Sequence, residues 1–159
     1  MESYCSPLPT ADPGMTEPLV AGSEAVMTFI PHRPPFVLVD TLYVCTDDEA
    51  VASFTIPEAG HVLVQDGLFQ EPGLLEHQAQ VSALQAGYQA RQYQLPPQMG
   101  YVAGFRHITI HGLPRSGEVV TTTVHTLTRL GSLTALRAET RSEARLLASC
   151  EFTVVLEPA

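Results

Sequence analysis

The sequence has 159 residues, 45% of them hydrophobic, and a formal charge of −9; its eight basic residues are all arginine. That length fits one domain with a sizeable core, and the composition is globular rather than disordered. The acidic balance argues against a nucleic-acid partner, which needs a cationic surface, and the absence of lysine excludes a lysine Schiff base and a P-loop lysine.

Residues 1–22 are rich in Pro, Ser, Thr and Gly and read as a flexible N-terminal tail. They hold no basic segment followed by an apolar one, so no secretory signal is expected there. No run of 18 or more apolar residues is present, so no membrane span is expected. Three cysteines, Cys5, Cys45 and Cys150, are odd in number and lack metal-ligand spacing, which points to a reducing cytoplasm. A single domain is expected over residues 23–159. It opens with a short helix from Ser23 that Pro31 ends, and "PFVLVDTLYVCT" and "EAVASFTI" then predict two strands joined as a hairpin. The stretch from Pro57 to Pro72 has no clear periodicity and is long for a structureless loop, a length often tied to function.

A long helix is predicted from about Gly73 to Tyr93. Within it Ala79, Ala83, Ala86 and Ala90 recur at helical spacing, and such small side chains let a helix backbone lie close to a concave sheet. After "LPPQ" the pattern changes to four β-branched segments, with hairpin turns at Leu130–Ser132 and Ser142–Ala144. One long helix and about five to six antiparallel strands predict an α+β domain in which a curved sheet wraps a single central helix.

Glu76 and Gln80 lie one turn apart on the same helix face as Ala83 and Gly87. A carboxylate on that stripe has three readings. It favours the positive end of the helix dipole and faces water, or it hydrogen-bonds Gln80 or a neighbouring strand, or it is a partly buried acid aimed into a substrate channel. Pro72-Gly73 at the helix start exposes N–H groups that can polarise a thioester oxygen, and a carboxylate a turn away can then move protons.

The residues here resemble a family. "PHRxPFxLVD" at Pro31–Asp40, then "PGxxE" and "ExxAQ" through Pro72, Gly73, Glu76, Ala79 and Gln80, then the β-rich second half are similar to the β-hydroxyacyl-(acyl carrier protein) dehydratases of the hotdog superfamily. The resemblance covers about Ile30 to Leu156 and is closest to the branch of small predicted dehydratases linked to aryl-polyene and flexirubin-type pathways. It implies a hotdog fold, usually dimerised edge to edge. It also implies a substrate held as a thioester on a phosphopantetheine arm of an acyl carrier protein or coenzyme A, with no metal and no bound cofactor.

In that family a helix carboxylate works with a loop histidine, commonly across the dimer interface: the base removes the α-proton of a 3-hydroxyacyl thioester and the acid helps expel water. By the resemblance Glu76 is the carboxylate. The family's Gly-His-Phe-Pro-Gly type loop is not reproduced. One alignment places Gly60-His61 there, which makes His61 the base; the other, counted without gaps from Glu76, places Gly67-Leu68 there and removes it. The implied catalytic pair is therefore Glu76 and His61, with Gly73, Gln80, Leu68 and Phe69 on the substrate side. The implied activity is elimination of water to a 2-enoyl thioester. The alternatives are a hotdog thioesterase in which Glu76 activates water, or a catalytically silent partner subunit in a hetero-dimer. His32, in the "PHR" motif, is read as structural, and His77 points about 100° around the helix from Glu76. Arg129, Arg137, Arg141 and Arg145 form either a patch for an acidic carrier protein or ordinary solvated strand surface interleaved with Glu139 and Glu143.

Overall fold

The computed structural model describes residues 17–158. The expected tail lies mostly outside them, at residues 1–16. Its last part does not follow the expectation, because Val20–Ala21 forms a strand, β1. There follow α1 (Ser23–Val26), β2 (Thr41–Cys45), β3 (Glu49–Thr55), β4 (Val64–Gln65), β5 (Leu68–Phe69), α2 (Glu71–Gln92), β6 (Gly100–Ile110), β7 (Val119–Leu130), β8 (Leu133–Ser142) and β9 (Arg145–Leu156). Seven strands form one antiparallel sheet in the order β1-β2-β3-β7-β8-β9-β6, while β4 pairs with β5 alone. The long helix against a sheet is the expected architecture, with more strands than the five to six read from the sequence.

The extra strands have local causes. Asp66 and Gly67 adopt φ of 52° and 74°, the left-handed geometry of a two-residue hairpin turn, and so fold part of the stretch from Pro57 to Pro72 into β4–β5. The two expected hairpin turns form in the same way, with Gly131 at φ 60° between β7 and β8 and Glu143 at φ 52° between β8 and β9. The first predicted strand, in contrast, starts late. Residues 34–40 stay irregular because the backbone groups of Phe36 and Leu38 bond to side chains of α2 rather than to a neighbouring strand.

Helix α2 starts with Pro72 in its first turn, where a missing N–H costs nothing. Its Val81 and Leu84 pack with Leu42, Val124, Leu136 and Phe152, and Leu74 packs with Leu38, Phe54, Phe69 and Leu147. Fully burying side chains of this size stabilises by roughly 1.5–3 kcal/mol each. The helix also buries His77, Gln78, Gln80 and Gln85. Gln78 Nε2 donates to Thr140 Oγ1 at 2.8 Å and the Cys150 thiol donates to Gln78 Oε1 at 3.0 Å, so a polar residue beneath the sheet is satisfied there. At the far end of the sheet β6 leaves one edge open, and nearly all of its residues are exposed.

Candidate functional site

The site is assembled where residues 31–39 cross the first two turns of α2. Gln80 is buried and makes three bonds. Its Oε1 accepts from Leu38 N at 2.7 Å, and its Nε2 donates to Phe36 O at 2.7 Å and to Glu76 Oε1 at 2.8 Å. Because the backbone N–H of Leu38 can only donate, the amide orientation is fixed and its NH₂ must face Glu76. His77, fully buried against Phe54, donates from Nδ1 to Leu38 O at 2.6 Å. Burial pulls its pKa down to about 4, outweighing the opposing effects of that hydrogen bond and of Asp40. It is a neutral structural histidine. Together Gln80 and His77 lock both peptide groups of Leu38 to the helix.

This clamp holds Glu76 at the rim of a cavity of about 440 Å³, within the range of small-molecule sites. The floor is α2, through Ala79, Ala83 and Gly87, and the facing wall comes from β6 and β9. From Glu76 to Gly87 the helix rises about 16 Å. His32 lines the same cavity, and its Nε2 lies 3.5 Å from Glu76 Oε1. Both side chains are partly exposed, and His32 Nδ1 is buried with no hydrogen-bond partner. The segment bearing His32 is seated on the helix by close approach of the Phe29 carbonyl to Gly87. Arg91 adds to this, donating to Thr28 O at 2.7 Å and lying 3.9 Å from the Phe29 ring centroid.

The structure places the expected site residues unevenly. Glu76 is on the cavity, as expected. His61 is not brought to it: Leu63 N donates to its Nδ1 at 3.1 Å, so its Nε2 carries the proton and donates to Pro35 O at 2.7 Å. Both ring nitrogens are thereby engaged by backbone groups, one in the loop and one at Pro35, and His32 stands beside Glu76 instead. Gly73 N–H is not free to polarise a thioester, since it donates to Gln70 O at 3.0 Å. Pro72 has no N–H, and Leu74 N–H also donates to Gln70 O. Gly73 has a packing role: a Cβ there would overlap the Phe69 ring. Phe69 is accordingly core, Leu68 belongs to β5 with a bridge to Arg115, and neither lines the cavity. Gln80 sits behind Glu76 rather than on the cavity surface.

The four arginines considered for a carrier patch face acidic neighbours. Arg129 pairs with Asp48 at 2.7 Å, Arg145 with Glu118 at 2.9 Å, and Arg137 and Arg141 flank Glu139 at 4.0 and 3.6 Å. This is the interleaved strand surface. Among the described residues no group of acidic, histidine and cysteine side chains is arranged to hold a metal ion. No helix among them is long and apolar enough to cross a membrane.

A family model described as ApeP dehydratase, ApeP-like, matches residues 24–159. No curated protein matches the sequence. Among solved structures, one chain of the dehydratase heterocomplex ApeI:P from Xenorhabdus doucetiae superimposes with a TM-score of 0.76 at 18% identity, covering 84% of this chain and 91% of its own. A hypothetical thioesterase protein with coenzyme A from Streptococcus pneumoniae gives 0.59 at 14% identity, covering 73% and 84%. The Escherichia coli PaaI protein from the phenylacetic acid degradation operon gives 0.58 at 11%, covering 72% and 80%. At these identities the likeness establishes the fold, which is the hotdog that the motifs imply.

Proposed function

The chain belongs to the ApeP-like dehydratase family, and from that premise we propose that it is a subunit of a 3-hydroxyacyl thioester dehydratase. The substrate arrives on the phosphopantetheine arm of an acyl carrier protein or coenzyme A, so the arm is part of the substrate and the reaction needs no resident cofactor. The observation that carries this reading is the Glu76 carboxylate, fixed by Gln80 at the rim of a cavity floored by small helix residues. Those residues leave room for an extended acyl chain along the helix.

The chemistry follows from the fixed side of the carboxylate. Glu76 Oε1 accepts from Gln80, which leaves Oε2 to carry the acidic proton. When a base removes the α-proton, the electron pair forms the C2–C3 double bond and the C3–O bond breaks. The Glu76 proton then completes the departing water.

The second subunit enters through β6. Its open edge carries Tyr101, Val102 and Ile108 with 53%, 39% and 46% of their surface exposed, a hazard for a protein that does not pair it. We place a paralogous hotdog subunit on that edge; the likeness in fold to one chain of a dehydratase heterocomplex supports a hetero-dimer. The free thiols of Cys45 and Cys150 fit a cytoplasmic protein.

The test is mass spectrometry of a 3-hydroxyacyl pantetheine thioester after incubation with the chain alone and with its paralogous subunit. Loss of one water, greatly reduced by Glu76→Gln, is the expected outcome. Release of the free acid would replace this reading with a thioesterase. Substrate unchanged by the chain and its paralogous subunit together would overturn the reading, and equal turnover of that complex with Glu76→Gln would make the chain a silent subunit.

A further inference from the structure

Elimination of water needs a base beside the acid, and the only histidine that reaches Glu76 among the described residues is His32. We propose that His32 is the catalytic base, taking the α-proton in the same chain that supplies Glu76; this rests on the dehydratase reading above.

Three observations on His32 carry the assignment. Its Nε2 is 3.5 Å from Glu76 Oε1, and both residues line the cavity that would receive the acyl chain. A proton and a hydroxyl leaving adjacent carbons from one face of a substrate meet two groups set this close together. The second observation is what the ring does not do. His61 Nε2 and His77 Nδ1 each hold a backbone carbonyl, as structural histidines do, whereas His32 Nδ1 is buried without a partner and Nε2 faces Glu76 on the cavity. A buried nitrogen without a partner is shared by His77 Nε2 and does not by itself mark a base; what sets His32 apart is that its ring holds no backbone carbonyl and lines the cavity. Third, the backbone that presents the ring is held on both sides. Arg33 Nη1 donates to Ile30 O at 3.0 Å and to His32 O at 2.7 Å, and the Phe29 carbonyl abuts Gly87. The loop is fixed while the imidazole stays available.

The cycle balances within this pair. Neutral His32 takes the α-proton on Nε2, the C2–C3 double bond forms, the C3–O bond breaks, and Glu76 Oε2 gives its proton to the hydroxyl. Imidazolium and carboxylate then stand side by side, and return of the proton from His32 to Glu76 restores both. The products are the 2-enoyl thioester and one water. Imidazole suits the first step because it exchanges protons near neutral pH.

The experiment measures water loss from a 3-hydroxyacyl pantetheine thioester in the assembly in which the wild type turns over. His32→Ala, His32→Gln and His61→Ala are compared, with kcat and KM resolved and the fold of each checked by circular dichroism. His32→Ala and His32→Gln should each lower kcat by about 10²–10⁴-fold with KM nearly unchanged, while His61→Ala stays within a few-fold of wild type. Added imidazoles should restore turnover to His32→Ala, at rates that follow the basicity of the imidazole, a dependence that a packing role would not produce. Folded His32 variants with wild-type kcat would overturn the assignment and leave the dehydratase reading standing. Loss of kcat with His61→Ala alone would return the role to His61. A wild type that removes no water overturns both.

Discussion

Gln80 Oε1 accepts the backbone N–H of Leu38 at 2.7 Å, across 42 positions of sequence. The two motifs that the sequence presents separately, one around Pro31–Asp40 and one at the start of α2, are therefore one physical object. The residues after the first motif lend their backbone groups to the helix, and the helix in return has its carboxylate aimed. Replacing Gln80 by leucine would leave Leu38 N–H buried and unpaired, take the partner from the part-buried Phe36 O, and release Glu76. Gln80→Leu is expected to lose about 2–4 kcal/mol of stability, read from urea denaturation. It is also expected to lower kcat for water loss more than it raises KM, because the acid is no longer oriented.

Gly87 reverses a familiar rule. Alanine in a helix interior usually stabilises by about 0.5–1 kcal/mol relative to glycine. Here a Cβ would overlap the backbone oxygen of Phe29, which a side-chain rotation cannot relieve. Gly87→Ala is expected to destabilise by about 1–3 kcal/mol, and the displaced segment carries His32. Thermal unfolding checks the sign: a higher Tm for Gly87→Ala would mean the segment moves aside freely.

Much of this was legible in the sequence. The alanine spacing marked α2, β-branched runs marked β6 to β9, and the Leu130–Ser132 and Ser142–Ala144 turns fell where the left-handed residues Gly131 and Glu143 lie. "VQDGLF" also carries a local signal for β4–β5, since Asp-Gly between apolar residues is a strong short-range hairpin mark. The late start of β2 was not readable, because it depends on side chains of a helix far along the chain. The same holds at the site. Glu76 stands out in the sequence because helical periodicity and motif agree on it, and it lines the cavity. The proximity of His32 is a tertiary fact with no local signature, and the partners of His61, Pro35 O and Leu63 N, were equally invisible. Pro72-Gly73 reads as a helix start that offers N–H groups to a thioester oxygen, but the Phe69 ring packed against the Gly73 Cα gives the glycine another reason to be there.

His77 sets a pH dependence. Its folded pKa of about 4 lies below the ordinary 6.5 because burial penalises the imidazolium. Between those values the unfolded chain binds the proton and the folded chain does not, so folding stability rises with pH across the window. The contribution is fully present above about pH 6.5 and is lost as pH falls through 4, to a total of about 3 kcal/mol. In His77→Asn the side-chain amide takes the place of Nδ1–H without titrating. Its stability, measured by urea denaturation at a series of pH values, should change less between pH 4 and 6.5 than that of the wild type. Parallel curves would mean that His77 takes up its proton without disturbing the fold.

The edge of β6 gives the last prediction. A strand of 11 residues with one side unpaired templates further pairing unless something covers it, and Ile108 stands on it 46% exposed. Covering such a side chain contributes up to about 1.5–3 kcal/mol, and a carboxylate in its place must also be desolvated. Ile108→Asp is therefore expected to weaken association with the second hotdog subunit at least about tenfold. The stability of the isolated chain should change by no more than about 0.5 kcal/mol, as for a surface substitution. Sedimentation equilibrium separates the two effects. Weaker association at unchanged unfolding places the partner on β6, whereas unaltered association would mean that the second subunit binds another face and the cavity wall formed by β6 stays open to solvent.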